Sequence, residues 1–289
     1  MPSEPHDLAR QVDAAQSILS LPAAASARRV EHAFAAACRA LAASMARTRP
    51  QSGAAILEVA GGVAMFAGTG SPLTQGLALG LDGPVGEADL DALEAFLCRD
   101  GNRSRQLELC PFADPSLAAL LARRGYRVHE WQLAWCRPLA DEIFAPPPHG
   151  ITVRPVRPGE EERFFRVVLA GFLEIETEDV PAEALALFLP TASADGQEQV
   201  FACIGDEPIG GATLGWSSGV AFVNGSGVRR DYRRRGAQGA LIRARLARAR
   251  ELGCDLAVSF TLPGTASRRN MERHGFHVAY PKVVMLADA

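Results

Sequence analysis

The stretch "DYRRRGAQGALIRARLARAR", residues 231–250, decides how the rest of the chain is read. It crowds arginines around Gly236 and Gly239 and then runs into helical spacing. A strand ends near Val228, a glycine-containing turn follows, and a helix opens. The first N–H groups of a helix have no partner inside it, and the helix dipole favours an anion there. Glycine lets a phosphate approach the backbone closely, and flanking arginines add charge and fork-shaped donors. Residues Arg233 to Ala240 therefore read as a phosphate cradle that works through backbone amides. Ile242, Leu246 and Ala249 then recur at i, i+4 and i+7, which marks the buried stripe of an amphipathic helix. The arginines between Arg243 and Arg250 read as its ordinary solvated face. This is no Walker loop, since no Gly-Lys-Ser/Thr follows, and the spacing of a dinucleotide-binding turn also fails.

Composition limits what the cradle can serve. The chain has 289 residues, 48% of them hydrophobic, and a net charge of -3, so its basic charge is local. That balance argues against a nucleic-acid partner, which usually demands a strongly basic domain. Lys282 is the only lysine. The six cysteines form no CxxC pair and no zinc spacing, so buried reduced thiols and no metal are expected. Residues 59–81 carry no charge, but six glycines and a proline break any membrane helix there. The opening residues are polar and acidic, unlike a secretory leader. A cytoplasmic protein without a membrane partner is expected.

Along the chain, residues 8–47 show alanine-rich helical spacing interrupted by Pro22, which predicts two helices. Strands follow at 54–68 and 75–83, then a helix at 87–101, a strand at 105–110, a helix at 114–125 and a strand at 126–139. The proline-rich "FAPPPHG" (144–150) divides the chain into halves 1–145 and 151–289. The second half reads strand, helix, short helix, three strands over 199–228, cradle and helix, strand, helix, strand. The halves echo each other: Gly125 and Gly275, 150 residues apart, each follow a basic helix and precede an aromatic that opens a strand.

Arg233-Arg234-Arg235-Gly236-Ala237-Gln238 resembles the acyl-CoA loop of GCN5-related N-acetyltransferases, whose pattern is Q/R-x-x-G-x-G/A between a strand and a helix. It departs at Gln238, where Gly or Ala is usual, although Gly239 follows at once. The element order over about residues 150–286 and the closing Gly275-Phe276 strengthen the likeness. The resemblance implies an α/β (α+β) fold of two tandem acyl-CoA N-acyltransferase-like domains, each a mixed, mostly antiparallel sheet flanked by helices. In the first half no phosphate loop is visible, and Glu87, Asp89 and Asp91 open the corresponding helix, so that copy is expected to be degenerate.

By the same resemblance, acetyl-CoA is the co-substrate. Its pyrophosphate maps to Arg234, Arg235, Gly236, Ala237, Gln238, Gly239 and Ala240, with Arg233 opening the motif. Its pantetheine arm maps to Ser226, Gly227 and Val228, with the Val228 amide donating to the thioester carbonyl. The tyrosine that often protonates the leaving thiolate is replaced by Met271, which leaves Asn270, Ser267, a water or Tyr280 for that role. Glu174, Glu176 and Glu178 are candidates for the general base, Glu176 being the one taken forward. The acceptor implied is a small-molecule or peptide amine, and the chain is expected to be a monomer or homodimer. The alternative is an acyl-CoA-binding sensor without turnover.

Overall fold

The computed structural model describes residues 23–140 and 143–288. The first of the two helices expected within 8–47 lies outside them. The second is α1 (Ala23–Thr48). The first half continues with β1 (Ala55–Val59), β2 (Gly62–Phe66), β3 (Gln75–Leu77), α2 (Glu87–Leu97), β4 (Ser104–Leu109), α3 (Pro115–Arg123) and β5 (Arg127–Pro138). The second half holds β6 (Thr152–Pro155), α4 (Glu161–Leu173), α5 (Ala182–Phe188), β7 (Gln197–Ile204), β8 (Glu207–Ser217), β9 (Val220–Phe222) and β10 (Ser226–Val228). It ends with α6 (Ala237–Glu251), β11 (Leu256–Thr261), α7 (Ala266–Arg273) and β12 (His277–Asp288).

Two expectations need correction. The strand foreseen over 75–83 stops at Leu77, because Ala78 and Gly80 take positive φ and turn the chain away. The three strands foreseen over 199–228 are four: β9 and β10 are separated at residues 223–225, where Gly225 takes a φ of 59°.

All strands join one sheet in the order β1-β2-β3-β4-β12-β5-β11-β9-β8-β7-β6, with β10 pairing β8 beside this path. Pairing is antiparallel except for β3 with β4 and β9 with β11, one parallel pair in each half. The halves are interleaved at the centre. β12 of the second half lies between β4 and β5 of the first, and β5 lies between β12 and β11. The echo between halves is geometric as well. Gly125 (φ 75°) and Gly275 (φ 72°) end α3 and α7 in the left-handed region, and Tyr126 and Phe276 donate back to Leu121 and Met271.

Alternation along the strands sorts the helices. Val63 and Met65 pack with α1, while Ala64 between them packs with α2 and α3. Phe201 packs with α4, and its neighbour Ala202 with α6. Helices α1, α4 and α5 thus cover one face, and α2, α3, α6 and α7 the other. α1 crosses the interleaved centre, where buried Lys282 on β12 meets Glu31 of α1 and Glu108 of β4, and the Tyr280 hydroxyl donates to Glu31 at 2.7 Å. Two carboxylates and one ammonium in a dry site pin β12 between its neighbours, because a one-residue slip of β12 leaves them unpaired.

Candidate active site

The second half opens its sheet at one place. β9 pairs β8 on one edge and β11 on the other, whereas β10 pairs β8 alone. The register explains why. Phe222 stands opposite Gly215, but Ser226 stands opposite Ala212, so this strand carries one residue more than β8 over the same span. That is a β-bulge at Val223-Asn224-Gly225, and it bends β10 away from β11. Asn224 occupies the apex of the resulting wedge. Its Oδ1 accepts from the Phe260 N–H at 3.0 Å and the Ser259 hydroxyl at 3.2 Å, while the Val223 N–H donates to Val258 at 2.9 Å.

Past the bulge, the Thr213 N–H donates to the Gly225 carbonyl and the Arg229 N–H to Ile209. Backbone groups alternate direction along an antiparallel ladder, so Gly227 faces β8 while the Ser226 and Val228 amides face the gap. Gly227 contributes by lacking a side chain, since a Cβ there collides with the Val168 carbonyl of α4. Gly171 of α4 makes the reciprocal approach, its Cβ position lying 2.7 Å from the Val228 nitrogen.

The gap leads to the start of α6. Gly236 is its N-cap in the left-handed region (φ 90°), with no side-chain cap, and the first bond inside the helix runs from Ala240 to Gly236. The amides of Ala237, Gln238 and Gly239 precede that bond and stay open. Arg234, itself at φ 62°, and Arg235 are exposed and form no ion pair among the described residues. The Arg235 and Arg229 guanidiniums both lie over the Tyr232 ring, at 5.3 and 5.1 Å from its centre. Open amides, a left-handed glycine and unpaired cations fit a pyrophosphate. Gln238, the outlier in the motif, donates to the Ser226 hydroxyl at 2.7 Å and so ties the helix start to β10.

Arg233 is used differently from its neighbours. Its guanidinium reaches Gly171 and Glu174 at 2.7 Å and Val228 at 3.3 Å, all within the protein. It braces the loop against α4. The Glu174 carboxyl is held below the usual range by that guanidinium, and Glu178 accepts from the Thr177 hydroxyl at 3.0 Å. Glu176 is exposed in the α4–α5 loop, and no described side chain bonds its carboxylate. On α7, Asn270 is half-buried and Ser267 exposed, whereas Met271 packs in the core beneath α6 and α7. Tyr280 is not a thiolate donor: it is buried under α1 with its hydroxyl on Glu31.

The solvated reading of Arg243 to Arg250 fails at Arg245. Arg243 donates to the Ala145 carbonyl of the linker at 3.0 Å, and Arg245 is buried. Arg248 does face solvent, paired with Glu198 at 2.8 Å and Glu251 at 2.9 Å. The apolar stripe of Ile242, Leu246 and Ala249 is buried. Asn224, Gly171 and Arg245 were not singled out from the sequence. Arg245 was legible in principle, because it follows Ile242 by three positions and so falls on the stripe.

At the corresponding places of the first half, the described residues are arranged differently. Its parallel strands touch only at Gly76 and Leu107, and a Cβ on Gly76 lies 3.1 Å from Leu79, Leu93 and Leu107, so leucines fill the space. At the start of α2, Asp89 accepts from the Gly86 N–H at 2.9 Å, and Arg124 pairs Glu87 and Asp91 at 2.7 and 2.6 Å. Carboxylates thus crowd this helix start, Asp89 holding the amide of the residue that precedes it.

The described cysteines are free, and burial pushes the Cys38, Cys110 and Cys136 thiols up to about 12. Among the described residues no helix is long and apolar enough to cross a membrane.

Residues 164–276 match the family model of the acetyltransferase (GNAT) family. No curated protein matches the chain in sequence. Among solved structures, a GCN5-related N-acetyltransferase from Kribbella flavida superposes with a TM-score of 0.61 at 19% identity, covering 86% of this chain and 95% of its own. A tandem GNAT protein from the clavulanic acid biosynthesis pathway gives 0.55 at 17% identity and 81% of each chain. A GCN5-related N-acetyltransferase from Sphaerobacter thermophilus gives 0.50 at 19% identity, covering 74% and 71%. The segment that holds the wedge and the start of α6 matches the acetyltransferase (GNAT) family model, in a chain that shares the fold of GNAT structures, a tandem one among them, through most of its length.

Proposed function

We propose that the protein is an N-acetyltransferase that moves an acetyl group from acetyl-CoA directly to an amine, using one cofactor site in the half 151–289. The half 1–145 acts as a degenerate copy with a structural role. The observation that carries this reading is the uncapped start of α6 at the mouth of a bulge-opened strand pair. Residues Arg234 to Gly239 hold the pyrophosphate through their amides, the Ala240 amide being already bonded to Gly236 within α6, and Arg234 and Arg235 supply charge. The Ser226 and Val228 amides pair with the pantetheine arm as an added strand does, and one of them donates to the thioester oxygen as negative charge develops there.

The reaction needs a neutral amine. Glu176 is assigned the general base, because Glu174 and Glu178 are engaged with Arg233 and Thr177. Asn270 and Ser267 on α7 are assigned to the leaving sulfur. An acidic lip at the α4–α5 loop suits a cationic small-molecule or peptide amine.

The test is calorimetric titration with acetyl-CoA, followed by acetylation of a panel of amines. Micromolar binding together with acetylated product supports the proposal. Binding without product across the panel would point to a sensor, and absence of binding would remove the reading altogether.

A further inference from the structure

Arg245, in the third turn of α6, is 1% exposed and has no carboxylate partner among the described residues. Its Nε donates to the Leu241 carbonyl at 3.1 Å, one turn back along its own helix. Its Nη1 donates to two carbonyls of the sheet, Thr213 at 2.9 Å and Asn224 at 3.0 Å, and its Nη2 is buried without a partner. Burial alone pulls its pKa down to about 9. An uncompensated buried cation is among the costliest groups a core can hold, and an aliphatic side chain would serve the stripe as well. Packing therefore does not account for it.

Its two sheet partners do. Thr213 holds the Gly225 end of the bulge through its own N–H, and Asn224 holds β11 through its side chain. Both carbonyls lie where the ladder to β8 is broken, so Arg245 bonds groups that the bulge leaves short of strand partners. The one-residue register shift also reverses which backbone groups face β8. Without the bulge, the Ser226 and Val228 amides turn into the β8 ladder and the gap loses its donors.

We propose that Arg245 is a positioning residue of this site: by holding the Thr213 and Asn224 carbonyls from α6, it fixes the bulge that aims the Ser226 and Val228 amides into the gap. The inference rests on the acyl-donor reading above.

The test uses Arg245→Lys, which keeps the charge but loses the fork, and Arg245→Gln, which keeps a donor but loses the charge. Each is measured for CoA and acetyl-CoA affinity by calorimetry, and for the infrared carbonyl stretch of bound 13C-labelled acetyl-CoA. In the wild type the stretch should move to lower frequency on binding. In both variants it should return toward the free value, with acetyl-CoA affinity reduced about tenfold and CoA affinity less than about threefold, because the cradle is intact. Wild-type shift and affinity ratio retained in either folded variant would overturn the proposal while leaving the cofactor reading standing. Absence of acetyl-CoA binding by the wild type would remove both. If neither variant folds, hydrogen exchange of the wild type decides: open Ser226 and Val228 amides that become protected by acetyl-CoA support the bulge geometry, and amides already protected without ligand refute it.

Discussion

Replacing Gly171 by alanine sets two known effects against each other. Gly171 lies in the last turns of α4, and Ala is favoured over Gly inside a helix by about 1 kcal/mol. If nothing stood nearby, the substitution should stabilise the protein. The Cβ position, however, lies 2.7 Å from the Val228 nitrogen and 2.9 Å from the Gly227 carbonyl carbon. Both are backbone atoms and cannot rotate away. Ordinary contact begins near 3.4 Å, so α4 and β10 must part by about 0.7 Å. Overpacking of this kind costs about 1–3 kcal/mol. It also pulls on the Arg233 bond to the Gly171 carbonyl. The steric cost wins, leaving a net loss of up to about 2 kcal/mol, or a fall of up to about 3 °C in Tm for a chain of this size. The methyl also covers the Val228 amide, so acetyl-CoA affinity should fall by at least about tenfold. Urea denaturation and calorimetry read both effects. A Gly171→Ala protein that melts higher than wild type and binds acetyl-CoA equally well would refute the contact and the assigned direction of that amide.

Three further outcomes follow from the same geometry. Gln238→Glu places a carboxylate at the α6 start, where the helix dipole tolerates it; acetyl-CoA affinity should fall at least about tenfold while Tm holds within a few degrees, read by calorimetry and thermal melts. Lys282→Met leaves Glu31 and Glu108 buried without a cation and should cost about 3–5 kcal/mol at neutral pH. Burial raises the Glu108 pKa, so the folded state holds that proton to higher pH than the unfolded chain, and the urea midpoint of this variant should recover as the pH falls from about 8 to about 5. Burial lowers the His274 pKa below 6.5, so the unfolded chain takes up a proton before the folded one does. Stability should therefore drop as the pH falls below 6.5, and His274→Gln should flatten that slope in urea titrations.

The left-handed turn at Gly236 and the helix behind it were readable because their signal is local: two glycines, arginines and a helical stripe lie within twenty consecutive residues. The repeat was readable for a similar reason, since Gly125 and Gly275 each fulfil the demand of one helix end for positive φ. The interleaving of β5 and β12 left no such trace. Strand pairing between residues such as Val283 and Trp131 depends on long-range fit, and alternation along one strand does not name its neighbour. The bulge was hidden because Asn224-Gly225 reads as a turn as readily as an extra residue in a strand. Arg245 was misread because arginine is rarely buried, although its place on the stripe of Ile242 and Leu246 pointed inward. The Met271 position also changed meaning. It is core, so the missing tyrosine says less about turnover than the polar groups of Asn270 and Ser267 do.

The central claim is a single acyl-CoA site per chain, formed by the bulge and the α6 start, with the corresponding place in the first half lined by Leu79, Leu93 and the carboxylates of Glu87, Asp89 and Asp91. Calorimetric titration of the intact protein with acetyl-CoA tests it most directly. The account predicts one equivalent bound per chain, with binding weakened by Gln238→Glu; two equivalents, or binding indifferent to that substitution, would contradict it.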